Sequence, residues 1–196
     1  MKRSGHGLIT SILFVLFLAI ACRTPPDVLR LEMFYKPSRT VLPPIFLTEN
    51  PIYFGAFEDK RKNPDQIGQN SQNSKIVPVM VESTVVAAFV KNAFKKELKR
   101  LGFNIVDSKI DAERVLNVSI QNFWIEEKSL YEASIVAEVF ALDKSGKILA
   151  SRNFRGLAQK WGFSLDAREY NEVLSNAVID LLKNILNNAV FMKELG

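Results

Sequence analysis

From Ser83 to Leu101 apolar residues recur at spacings of three and four (Val85, Val86, Phe89, Val90, Ala93, Phe94, Leu98 and Leu101), while Lys91, Lys95, Lys96, Lys99 and Arg100 take the other side. This spacing predicts an amphipathic helix. Ser83 is placed to cap its start, Glu82 suits the positive end of its dipole, and Gly102 supplies the left-handed stop. A second dense stripe, Val173, Leu174, Ala177, Val178, Leu181, Leu182, Ile185 and Leu186, follows Asp166 and Glu169 at capping-box spacing and predicts a core helix. Between the two helices the period drops to two. Arg114 to Trp124 alternates, with Leu116, Val118, Ile120 and Trp124 on one face against Asn117, Ser119 and Gln121. Tyr131 to Leu142 continues with Tyr131, Ala133, Ile135, Ala137 and Val139 against Glu132, Ser134 and Glu138. Turn chemistry at Asp143–Lys147 then returns the chain through Leu157, with Arg152 and Arg155 on opposite pleats. A short apolar run, Ile52–Phe57, and a brief strand, Phe103–Val106, complete the order β-α-β-β-β-β-α. That order predicts an α+β fold: a mostly antiparallel sheet with two helices packed on one face and the other face partly exposed.

Two stretches break these patterns. Residues 58–75 are rich in Asn, Gln, Ser and charge with almost nothing to bury, so they read as a mobile loop and a candidate contact surface. From Arg23 to Pro51 six prolines favour extended backbone, as in a semi-rigid tether. Its apolar residues, among them Val28, Leu29, Leu31, Phe34 and Tyr35, are too many for a solvated linker, so part of it is expected to lie against its own domain.

The N-terminus changes the setting. Met1-Lys2-Arg3 precedes an apolar run from Leu8 to Ala21, and Cys22, the one cysteine of the chain, follows directly. A basic start, a short apolar stretch and a small residue before the cut describe a secretory signal. A cysteine just after the cut predicts lipidation by diacylglycerol, with palmitate-type acyl chains. The apolar run is shorter than the roughly 20 residues needed to cross a bilayer. Residues 1–21 are therefore expected to be signal peptide, residues 22–51 the lipidated cysteine and tether, and residues 52–196 a single α+β domain. More than one acyl chain holds a protein firmly to a membrane, at about 0.8 kcal/mol per buried methylene.

With the signal removed, the formal charge falls from +5 to +3 because Lys2 and Arg3 leave with it, too small and dispersed an excess to point to nucleic acid. His6, the one histidine, leaves as well. What remains has no Ser-His-Asp or Cys-His nucleophilic site, no usual zinc ligand and no disulfide. The chain is expected to be no enzyme and to need no cofactor or metal.

The apolar run Phe54-Gly-Ala-Phe57 followed by Asp59-Lys-Arg61, the helix ending Leu98-Lys-Arg-Leu-Gly-Phe103, the meander and the terminal apolar helix together resemble the YajG-like family of small bacterial envelope lipoproteins. The resemblance implies a lipid-anchored protein of the bacterial envelope, at the outer membrane and facing the periplasm, with no established catalytic residues. In outline the chain is also similar to small lipoproteins that assist lipopolysaccharide assembly, which implies adaptor work. Two functions follow as expectations. In one, the domain is a non-catalytic accessory docking on an envelope protein complex; in the other, it binds a cell-wall glycan, peptide or lipid. The candidate surface comprises Asp59, Lys60, Arg61, Trp161, Trp124, Tyr131, Arg152 and Arg155, with Trp124, Tyr131, Arg152 and Arg155 as the stacking and anion-binding set. Trp161 and Phe163, just before the last helix, are expected either to lid the core edge or to form an exposed aromatic contact.

Overall fold

A computed structural model describes residues 27–38, 50–72, 75–162 and 165–195. The signal segment, Cys22 and Phe163 lie outside the described residues.

Period-two alternation is realised in three 14-residue strands, β6 (Arg114–Glu127), β7 (Leu130–Asp143) and β8 (Ile148–Trp161), joined as an antiparallel meander. The N-terminal half of β6 pairs in parallel with β2 (Ile52–Asp59), which also takes the two-residue β5 (Ile105–Val106) at its far side. The whole is an α+β fold with an eight-stranded mixed sheet, mostly antiparallel, and helices on one face.

Helix α1 (Val85–Arg100) buries Val86, Phe89, Val90, Ala93, Phe94 and Leu98 as its periodicity requires. It ends at Gly102, whose φ of 90° only glycine adopts without strain. Its start differs from expectation: Thr84, not Ser83, occupies the cap position, and no side chain caps the helix. Helix α2 (Ala167–Leu186) starts as predicted, with the Asp166 carboxylate accepting from the Arg168 N–H. Its stripe lies across β7 and β8. Gly156 of β8 is where the two layers come closest: a Cβ there would stand 2.1 Å from the Ala177 carbonyl oxygen. A short α3 (Ala189–Leu195) closes the core with Phe191, edge-to-face with Phe154 at 5.5 Å.

The described part of the stretch 58–75 is built into the sheet rather than left as a loop. Gln66–Asn70 forms β3 and Val77–Met80 forms β4, and β3 lies between β4 and the C-terminal half of β6. The single apolar residue of β3, Ile67, is fully buried. Gly68 lets its backbone close on β6, since a Cβ would fall 2.0 Å from the Ile125 carbonyl oxygen. One edge of β6 is thus shared end to end by two strands, β2 up to Ile120 and β3 from Ile125.

The described part of the arm, residues 27–38, lies on its own domain, in keeping with its apolar content. Leu29–Arg30 forms β1 alongside β4. Farther on, the Phe34, Lys36 and Ser38 N–H groups donate to Asn171 Oδ1, Ser175 Oγ and Asn176 Oδ1 of α2 at 2.8–3.0 Å. Tyr35 donates to the buried Glu97 of α1 at 3.0 Å, and burial followed by that carboxylate pushes the phenol well above its usual range.

Candidate functional site

The end of β2 and the turn after it withdraw two of the three neighbouring candidates from the surface. Arg61 folds back on Asp59, with Nη2 2.6 Å from Oδ2 and both side chains 7% exposed. Its other donors reach backbone carbonyls: Nη1 to Gln66 at 2.9 Å and Phe123 at 3.2 Å, Nη2 to Pro64 at 2.7 Å. Phe123 falls in the gap on β6 between the end of β2 and the start of β3. Arg61 therefore supplies the hydrogen bond that neither strand provides, and its guanidinium also lies 5.8 Å from the centre of the Phe123 ring. Asp59 and Arg61 are a structural clamp rather than a binding surface. Lys60 remains at the surface, paired with Glu58 at 2.6 Å.

Tyr131 is also corrected. It faces the helices, fully buried, and meets Tyr170 of α2 edge-to-face at 5.1 Å. Tyr170 in turn donates to the buried Glu127, and burial followed by that carboxylate raises its phenol far above the ordinary value. Arg152 is exposed but stands opposite Val139, on the helix side of the sheet. Arg155 stands opposite Val136 on the uncovered side, so the two arginines lie on opposite pleats as expected.

Trp124 changes face. The β6–β7 register slips at Gln121, between Ile120 opposite Ala137 and Asn122 opposite Val136. One extra residue reverses the parity of everything beyond it. Phe123 and Ile125 thereby take over the helix side from Leu116, Val118 and Ile120, and Trp124 turns to the uncovered side.

There Trp124, Ser134 and Leu157 form one cross-strand row, and Glu126, Glu132 and Gln159 form the next. Together with Arg155 they line a groove of about 570 Å³. Gln159 donates to Glu132 at 2.7 Å, and Arg155 Nε approaches Ser134 Oγ at 3.4 Å. Glu126 accepts from Gln69 at 3.0 Å and Ser71 at 2.8 Å, contacts that hold its carboxyl below the usual range. The groove therefore offers an indole, a half-exposed leucine and a guanidinium beside two carboxylates. Such a surface can stack, desolvate and hydrogen-bond a guest. Leu157, Glu132 and Gln159 were missed in the sequence because the face they share depends on register between strands. Trp161 lies on the same side at the end of β8, opposite Leu130, and is 80% exposed.

Among the described residues no cluster of three or more His, Cys, Asp or Glu is placed to hold a metal, and no helix is long and apolar enough to cross a membrane.

No family model and no curated protein matches the chain. Solved structures similar to it include a Xanthomonas campestris protein of the DUF330 family, at TM-score 0.47 and 12% identity over 86% of this chain and 94% of that one. PelC from Paraburkholderia phytofirmans, solved as a dodecamer, gives 0.40 and 12% over 75% and 95%. The uncharacterized lipoprotein B of Nitrosomonas europaea gives 0.39 and 10% over 88% and 96%. One of these three is named a lipoprotein, and none is named as a YajG-like protein.

Proposed function

We propose that this chain is a lipid-anchored protein of the bacterial envelope, at the outer membrane and facing the periplasm, whose uncovered sheet face docks a protein partner without catalysis. The observation that carries this reading is that face itself. Three 14-residue strands present one side to solvent. That side bears Trp124 and Leu157 in one groove and Phe140, Leu142 and Ile148 lining a second, smaller one, with polar residues such as Glu138 and Ser151 between them. Apolar anchors within a polar surround are what protein interfaces use. The Cys22 context supports the anchor, and the lack of histidine and free thiol beyond the signal supports a non-catalytic role.

The test is site-specific photocrosslinking in living cells from Leu157 on the uncovered face and, as control, from Asn92 on the outer side of α1. A discrete adduct from Leu157, absent from Asn92 and lost on adding R155E, supports docking through this face. Equal labelling from both positions overturns it.

The groove favours a second reading, in which it holds a cell-wall glycan, peptide or lipid: its volume falls within the roughly 300–1,000 Å³ of small-ligand sites. Native mass spectrometry of the purified full chain distinguishes the two. A retained small molecule that is lost in W124A supports binding, and its absence favours the adaptor.

A further inference from the structure

The lipid anchor proposed at Cys22 restricts which part of the domain can face the membrane. Five residue steps separate Cys22 from Asp27, and an extended chain covers at most about 3.6 Å per residue, or about 18 Å in all. Asp27 lies two residues before β1, whose Leu29 pairs with Val79 of β4, and its carboxylate meets Lys75 just before that strand. The registers Val77–Asn70, Asn70–Glu127, Glu127–Tyr131 and Tyr131–Lys160 then run from β4 through β3, β6 and β7 to β8. All these strands thus present the same end beside Asp27, a rim about 24 Å wide at about 4.8 Å per strand. The opposite end of the meander, at Ile148, is 13 residues away along β8, about 44 Å. The tether cannot bring that end to the bilayer while the rim faces away.

The rim has the chemistry of an interfacial surface. Val28 is 39% exposed, Ile76 58% and Trp161 80%, one at each side and one between in chain order, and all three are apolar groups left in water. An indole with its polar N–H is the side chain that most favours the headgroup level. Of the carboxylates at this end, Asp27, Glu126 and Asp166 are paired with Lys75, Lys128 and Arg168, Glu169 and Glu172 share Lys160, and Glu132 accepts from Gln159.

We propose that the rim carrying Val28, Ile76 and Trp161 rests on the lipid surface beside the anchor. The proposal depends on the anchor reading, and the experiment separates the two. The full chain bearing W124F, with Trp161 as its one tryptophan, is produced in a bacterium that acylates lipoproteins and its mass is determined. It is then reconstituted into 3:1 phosphatidylethanolamine–phosphatidylglycerol vesicles with and without brominated acyl chains. A parallel chain, W124F/W161F/I148W, reports on the opposite end. The expected result is an acylated protein whose Trp161 emission is blue-shifted and quenched about twofold or more by bromine, with the tryptophan at 148 unaffected. An acylated protein with Trp161 unquenched, or with both positions quenched alike, overturns the docking and leaves the anchor standing. An unmodified Cys22 removes the anchor and the docking with it.

Discussion

The Arg61 guanidinium grips the Asp59 carboxylate with two donors, Nε at 2.9 Å and Nη2 at 2.6 Å, from only two residues away, and still reaches three carbonyls on the far side of the turn. A planar fork can serve both purposes and an ammonium cannot. R61K is therefore expected to lose most of what R61A loses, about 3 kcal/mol, the range for breaking a buried ion pair by removing one partner. Urea denaturation of both variants checks this, and near-wild-type stability of R61K would show that charge alone suffices.

Gly68 supports a second expectation. Because its Cα is pressed against the Ile125 carbonyl, G68A must push β3 off β6 or distort both strands. A loss of about 2 kcal/mol is expected, in the range of overpacked cores. Hydrogen exchange should rise across Gln66–Asn70 first, while the β6–β7 ladder stays protected.

The outer edge of β8 is capped from α2. Asp180 accepts from the Leu157 N–H at 2.9 Å, and Asn184 donates to the Arg155 carbonyl at 2.8 Å. These two side chains occupy backbone groups that would otherwise template another strand. The D180A/N184A double variant is expected to unfold at nearly the wild-type denaturant concentration, with a difference within about 1 kcal/mol, yet to self-associate. Light scattering as a function of concentration measures that, and a variant that stays monomeric would assign the caps a purely local role.

Glu126 gives a pH dependence of defined sign. Its carboxyl is held below the ordinary range by hydrogen bonds from Gln69 and Ser71 and by Lys128. A depressed folded value means that the stabilisation is complete above the unfolded pKa, about 4.3. It is then lost as pH falls through the lower folded value. E126Q should be less stable than wild type at pH 7 and should show a shallower decline between pH 5 and 2. Parallel declines would assign the acid sensitivity to other carboxylates.

Both helices, the meander and the packing of the arm were legible because each rests on a local period or on apolar content that one segment carries by itself. β3 was not. It holds one apolar residue, and its burial follows from the absence of a Cβ at Gly68 opposite Ile125, a relation between residues 57 positions apart. The groove was half legible. Trp124 and Arg155 stood out as residue types, but Gln121 looks like one more polar position in an alternating run. Only pairing against β7 exposes it as the extra residue that sends Trp124 to the uncovered side. Tyr131 failed for the opposite reason: the local alternation that placed it beside Ala133 and Ile135 already put it under the helices.

The arm has a mechanical consequence. Leu29 and Arg30 run parallel to Val79 and Met80, and the residues after them are fastened in succession to Asn171, Ser175 and Asn176. A pull on the chain ahead of Asp27 acts along the axis of β1 and across those hydrogen bonds, so it loads them together in shear instead of peeling them one after another. Tension arriving from the N-terminus would be shared between the sheet edge and α2, and the domain would move as one body before its arm came loose.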